Sequence, residues 1–197
     1  MIDNVWENDD FIFEGNKLKG MTPKGKEKIK EQGFTDMIIP EKSPTGEDIK
    51  IIGDNAFYRR NLTSVVIPDT VESIGFDAFG VCKLEEVRLP KALVEIEGFA
   101  FYNNKLKKIV FGENLKRIEP SAFALNELKE IDFPKGIEKI ETSAFYKNNL
   151  ERVTFPEGIK KINMFAFCKN NILEVEIPEN IEFVHNKAFD ETTEIIK

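Results

Sequence analysis

Apolar and polar positions along this chain repeat with one fixed period. The pair Ala-Phe returns every 22 residues, at Ala56-Phe57, Ala78-Phe79, Ala100-Phe101, Ala122-Phe123, Ala144-Phe145, Ala166-Phe167 and Ala188-Phe189. Five residues after the first six Phe stands Leu62, Leu84, Leu106, Leu128, Leu150 or Ile172. Three further on comes Val65, Val87, Ile109, Ile131, Val153 or Val175, and two beyond that Ile67, Leu89, Phe111, Phe133, Phe155 or Ile177. The end of each L-x-x-L-x-L run alternates apolar and polar, as a strand with one buried face does. Pro68, Pro90, Pro134, Pro156 and Pro178 follow at once, with Gly112 in the third unit, and stop each strand. An apolar residue then appears three positions later (Val71 to Ile181) and again three after that (Ile74 to Val184).

A period of this size predicts a solenoid, in which each unit buries its apolar side only by stacking on its neighbours. The expected fold is a β-rich α/β solenoid of 22-residue rungs, spaced roughly 4.8 Å apart like neighbouring strands. Equivalent residues then lie above one another, so the Phe residues form an internal column. A second column, Asn104, Asn126, Asn148 and Asn170, occupies the turn before each strand. Asn tolerates turn backbone and bonds nearby backbone groups, so this column reads as a structural ladder.

The pattern loosens toward both ends. Residues 1–36 read as an N-terminal cap, a hairpin over Asp10–Met21 around Gly15-Asn16 followed by a short helix from Thr22-Pro23 to near Gly33. Residues 37–51 read as an irregular first rung: Met37, Ile39 and Pro40 fit a strand and its stop, and Glu41–Lys50 an enlarged loop. Residues 52–197 hold the repeats, six full and one partial. Glu194 and Lys197 stand where the seventh unit needs Leu and Val. Ile195-Ile196 could close this end as a short cap, but the reading taken is a chain stopping mid-rung as part of a longer protein.

The unit I-x-x-x-A-F-x-x-x-x-L-x-x-V-x-I-P-x-x-I, over residues 52–189, resembles the BspA-type bacterial leucine-rich repeat. The more familiar leucine-rich repeat carries Asn three residues after its third leucine. Here that place holds Thr70, Ala92, Asn114, Gly136, Gly158 and Asn180, as suits the BspA-like variant. The resemblance implies a right-handed superhelix. It also implies a secreted or cell-surface protein, of a kind found in bacteria and some protozoa, acting as an adhesin or protein-binding module.

Composition narrows the chemistry. Apolar residues make up 41 % of the chain, enough for a continuous core, and no run of 18 apolar residues offers a transmembrane span. No signal-peptide pattern opens the chain, so any export signal or anchor is expected outside it. Cys82 and Cys168 lie about four rungs apart, roughly 20 Å by strand spacing, too far for a disulfide. Each is expected to act as a small hydrophobe. A net charge of −7 argues against nucleic-acid binding, which needs a basic face. The basic cluster Lys17, Lys19, Lys24, Lys26, Lys28 and Lys30 reads as a solvated helix face, with an electrostatic landing point for an anionic partner as the alternative. His185 is the only histidine and falls in an inter-rung turn, so Ser-His or Cys-His catalysis has little to use. With no C-x-x-C, H-x-x-x-H or EF-hand spacing, neither metal nor cofactor is expected, and the chain reads as non-enzymatic.

The candidate site is therefore a surface. In each strand two side chains point outward. One outward column, Ser64, Glu86, Lys108, Glu130, Arg152 and Glu174, mostly alternates in sign and reads as register control. The other runs Val66, Arg88, Val110, Asp132, Thr154 and Glu176. The expected partner is an extracellular protein, of a host or neighbouring cell, held across this face at Val66, Arg88, Val110, Asp132 and Thr154, with Lys108 and Arg152 beside them. A rival site is the flank bearing Tyr58, Tyr102 and Tyr146, where rings could stack on a glycan. Phe76, Phe99 and Phe165 lie on the same flank. A third reading makes the domain a spacer. No membrane insertion is expected, and the chain is read as monomeric.

Overall fold

A computed structural model of the chain describes residues 5–196. An antiparallel hairpin of β1 (Phe11–Glu14) and β2 (Lys17–Met21) leads into helix α1 (Pro23–Lys30). Thr22 caps the helix by accepting a hydrogen bond from the Gly25 N–H, and Pro23 opens its first turn. Each rung then contributes two short strands. The three-residue set comprises β3 (Asp36–Ile38), β5 (Ser64–Val66), β7 (Glu86–Arg88), β9 (Lys108–Val110), β11 (Glu130–Asp132), β13 (Arg152–Thr154), β15 (Glu174–Glu176) and β17 (Glu194–Ile196). Between them lie two-residue strands β4 (Ile51–Ile52), β6 (Ser73–Ile74), β8 (Glu95–Ile96), β10 (Arg117–Ile118), β12 (Lys139–Ile140), β14 (Lys161–Ile162) and β16 (Phe183–Val184).

The continuous sheet lies on the side where the sequence pattern suggested only a turn. The seven two-residue strands line up in parallel, with Ile52, Ile74, Ile96, Ile118, Ile140, Ile162 and Val184 in register. The β1–β2 hairpin adds at one edge, through β2 against β4, to make nine strands. Two residues are too few to show an alternation, which is why the pattern concealed them. The three-residue strands, by contrast, do not form one sheet. They pair two by two, as β3/β5, β7/β9, β11/β13 and β15/β17.

Around the Ala-Phe pair the chain turns through a tight arc held by bonds to the next rung. Six times the Phe N–H donates to the Ala carbonyl one rung on, from Phe57→Ala78 to Phe167→Ala188, each at 2.8 Å. Every full arc also carries two residues with left-handed backbone, one before the Ala and one two after the Phe. Asn55 and Arg59, Asp77 and Val81, and Phe99 and Asn103 show it first, and the pattern continues to Phe165 and Lys169, with φ between 52° and 61°. Each left-handed turn aims its N–H at the neighbouring rung, as in Val81→Tyr102 (2.8 Å) and Leu125→Tyr146 (2.9 Å). Such backbone costs of order 1–2 kcal/mol at a bulky or β-branched residue, and the bond to the next rung offsets it.

Inside the arc the Phe rings form the expected column. Neighbouring centroids lie 5.1–5.4 Å apart from Phe57 to Phe189, nearly parallel. Phe111, Phe133 and Phe155 stack beside this column at 5.5–5.6 Å.

The Asn ladder is also present. Asn126 donates to the carbonyls of Phe123 (3.1 Å) in its own rung and Phe101 (3.0 Å) in the rung before, and accepts from the Leu106 N–H (3.0 Å). Asn104, Asn148 and Asn170 repeat the arrangement. Cys82 occupies this same column one period earlier. Its thiol donates to the Phe57 carbonyl at 3.2 Å, so it is a weak hydrogen-bonding substitute for Asn and not only a small hydrophobe. Burial pushes its pKa up to about 12.

Both ends depart from the expected details. Lys28 is largely buried and pairs with the fully buried Asp10 at 2.5 Å, while Lys24 bridges Glu7 and Asp9. The basic cluster is therefore partly a set of ties to the N-terminal segment, because Asp10 needs a cation once water is excluded. At the other end, Glu194 does not take the place of a core Leu. Strand β17 forms two residues ahead of the period, setting Ile195 opposite Val175. A slip of two preserves the inward and outward faces, so pairing survives it. Lys197 and residues 1–4 of the expected cap lie outside the described residues. In the last arc the Asp190 carboxylate accepts from the Lys169 (3.0 Å) and Asn170 (3.1 Å) N–H groups, where earlier rungs supply a carbonyl to the left-handed residue.

Two stability outcomes follow. Phe123→Ala opens a cavity mid-column and is expected to cost about 3–5 kcal/mol in urea unfolding, with faster amide exchange confined to adjacent rungs. Cys82→Asn extends the ladder by one rung and should raise stability by about 1 kcal/mol. An unchanged or lower melting temperature would show that Cys82 already satisfies the site.

Candidate binding surface

The outward residues of the three-residue strands stand where the sequence placed them. Val66, Arg88, Val110, Asp132 and Thr154 are all exposed, with Val66 at 56 % and Val110 at 47 %. Lys108 and Arg152 lie beside them in the neighbouring column. Half of the charges in the two outward columns are paired across rungs. Arg88 reaches Asp69 at 2.9 Å, and Arg152 holds Glu130 at 2.5 Å with Asp132 at 3.7 Å. The alternating column makes that one ion pair among the described residues. Glu86 and Lys108 sit in register, yet the bridge at that level runs one residue earlier, Lys107 to Glu85 at 3.2 Å. Exposed pairs of this kind contribute about 0–1 kcal/mol, so a partner can displace them cheaply.

A trough of about 950 Å³ crosses the middle of this face, over β9 and β11, and takes in Lys108, Val110, Asp132 and Arg152. The structure thus brings four of the sequence candidates together. Val66, Arg88 and Thr154 do not line it, although Thr154 shares β13 with Arg152.

The tyrosine flank has a different logic. Tyr58, Tyr102 and Tyr146 are half-buried and alternate by rung with Gly80, Ala124 and Cys168. A side chain at Gly80 would collide with the Asp77 carboxylate and only touch the Tyr58 ring, at 3.4 Å, so this glycine makes room for Asp77. Arg59 covers Tyr58, and Phe99 packs edge-on against Tyr102 while also meeting Phe76. Tyr146 lines a cleft of about 720 Å³ with Phe165, Lys169, Lys187 and Asp190. His185 is half-buried, its Nδ1 accepting from the Lys187 N–H at 3.0 Å.

On the outer face of the nine-stranded sheet a group escaped the sequence reading. Glu97, Glu119 and Glu141 occupy one column, with Glu95 and its partner Arg117 (2.7 Å) in the next. Burial, a hydrogen bond with Glu95 and the charges of Glu95 and Glu141 push the Glu119 pKa up to about 7. Asn163 donates to Glu141 and Arg117 tempers the repulsion. A period-22 alignment carries the signal, three acids at one position in successive units. Near the N-terminus the carboxylate oxygens of Glu7, Asp9 and Asp10 come within 4.8 Å, but each already pairs with Lys24 or Lys28.

The stacked rungs, inter-rung Asn ladder and parallel short strands define a leucine-rich-repeat solenoid. The BspA type leucine-rich repeat model matches residues 50–173 in six copies, and the chain belongs to that family. Among curated proteins none matches the chain. Similar solved structures include a leucine-rich cell surface protein from Faecalibacterium prausnitzii, 25 % identical with a TM-score of 0.71, covering 92 % of this chain and 50 % of that one. A leucine-rich repeat protein of T. pallidum is 23 % identical with a TM-score of 0.73 over 94 % of this chain and 83 % of its own. The pneumococcal vaccine antigen PcpA is 22 % identical with a TM-score of 0.60, over 93 % and 45 %. The chain thus spans half the length of the F. prausnitzii protein.

The glutamate stack yields a pH dependence. Folding lifts the Glu119 pKa from its ordinary 4.5 to about 7, so the folded state binds the extra proton. Its contribution is full below pH 4.5 and is lost as pH rises toward 7. Stability should fall across that window by about 1 kcal/mol after solvent screening of a half-exposed group. Glu119→Gln should flatten the profile, as read by thermal melts from pH 4 to 8.

Proposed function

We propose that this domain is a non-enzymatic recognition module of a bacterial surface or secreted protein, which binds another protein across its three-residue strand face. The observation that carries this reading is the exposed mixed column Val66, Arg88, Val110, Asp132 and Thr154, which serves no packing role. Apolar and charged side chains alternate there over successive rungs, and each charge is held only by displaceable surface pairs. A solenoid presents such a face as an extended surface, with the opposite sheet keeping it rigid. The surface location draws support from the family and from the F. prausnitzii relative, described as a cell surface protein.

Capture of a panel of extracellular matrix proteins by the immobilised domain tests this reading, beside an Arg88→Glu/Asp132→Lys variant. Binding should weaken at least ~100-fold in the variant, since like charges across an interface cost several kcal/mol, while its melting temperature stays within about 2 °C. Protein binding that survives the variant would remove the site from the strand face. Glycan binding lost in Tyr146→Ala but kept in the charge variant would move it to the tyrosine flank.

A further inference from the structure

Strands β9 and β11 meet at one of the interruptions on the strand face, and what sets this one apart is the floor beneath it. No backbone hydrogen bond joins them among the described residues. On either side the rungs are tied at the same level, by Lys107 N–H to Glu85 C=O and Glu151 N–H to Lys129 C=O, both 2.8 Å. Between them, the Lys129 N–H and the Lys107 carbonyl are not bonded to each other. Of the other interruptions, β5/β7 keeps one such tie, Glu85 N–H to Thr63 C=O at 3.2 Å, whereas β13/β15 has none among the described residues.

The core is also thinner here. Ile109 and Phe111 are half-buried, whereas their counterparts Val87, Leu89, Ile131, Phe133, Val153, Phe155, Val175 and Ile177 are buried. Bulky Phe111 packs against the Phe133 ring at 5.5 Å and edge-on to Phe123, and the trough opens directly above. Val110 stands exposed on its rim. Apolar surface at the floor of a trough indicates contact with something.

Charge along the strand direction is unevenly spread around this apolar floor. Where the strands begin, Lys107, Lys108, Lys129 and Arg152 outnumber Glu130 and Glu151, and where they end the trough is lined by Asp132 and Glu113. Lys108, Lys129 and Glu113 make no ion pair among the described residues, so their charge is available to a partner.

We propose that the gap between β9 and β11 is a docking slot for an extended peptide segment of the partner protein. Its apolar side chain rests on Ile109, Val110 and Phe111. A carboxylate on one side meets Lys108 and Lys129, and a cation on the other meets Asp132 and Glu113. This deepens the strand-face reading and rests on it. Extended segments are suited to such a slot because their backbone can also engage strand groups left unpaired.

Fluorescence anisotropy with three labelled nonapeptides tests the slot. All carry a central leucine: one has two glutamates before it and two lysines after it, one has glutamates on both sides, and one has lysines on both sides. The mixed peptide should bind the domain at least ~tenfold more tightly than either like-charged one. Lys108→Glu/Lys129→Glu should weaken it at least ~tenfold, and Val110→Glu should do the same, with unchanged melting curves showing both variants folded. Equal binding of the three peptides, binding indifferent to both variants, or no binding of the mixed peptide would each overturn the slot. If whole-protein capture sensitive to Arg88→Glu/Asp132→Lys persists in any of those cases, the strand-face reading stands and only the slot falls.

Discussion

The molecule depends on one repeated interaction, the hydrogen bond from each Phe N–H to the Ala carbonyl of the next rung. It holds the arcs at a fixed separation, and that separation lets the Phe rings stack nearly parallel inside. It also dictates the small side chain beside each Phe, because Ala in this column is almost wholly buried against its neighbours. To keep this bond while turning the chain, each full arc takes up two left-handed residues. Most are not Gly or Asn: Val81, Phe99, Leu125 and Phe165 adopt this backbone because a bond to the neighbouring rung supports it.

The two sides of the rod follow unequally from that frame. On one, two-residue strands meet in a continuous parallel sheet and act as a spine. On the other, longer strands pair two by two, and their ladder is interrupted between pairs. A spine resists bending, while an interrupted face leaves backbone groups and apolar floor accessible. Recognition belongs on the second side for that reason, and the gap at β9/β11 is its most open point.

Polar groups inside the stack are handled column by column. Asn104, Asn126, Asn148 and Asn170 satisfy two rungs each, and Cys82 answers the same need with a single weak donor. Asp190 replaces a missing carbonyl with a carboxylate. The glutamate column is the exception, since stacking places like charges together and only the hydrogen bond with Glu95, Arg117 and Asn163 relieve it.

By itself, the sequence determined the period, the solenoid, the Phe and Asn columns and which side chains of the longer strands face out. These are matters of burial, and burial leaves a pattern of apolar residues at constant spacing. Tertiary structure alone decided which strands join the spine, where the other ladder breaks and how the last rung keeps its pairing two residues early. It also decided that Lys28 neutralises Asp10 and that Glu95, Glu119 and Glu141 meet. All of these depend on the alignment of backbone groups and charges between rungs, about 22 residues apart in the chain, and apolar spacing carries no record of that alignment.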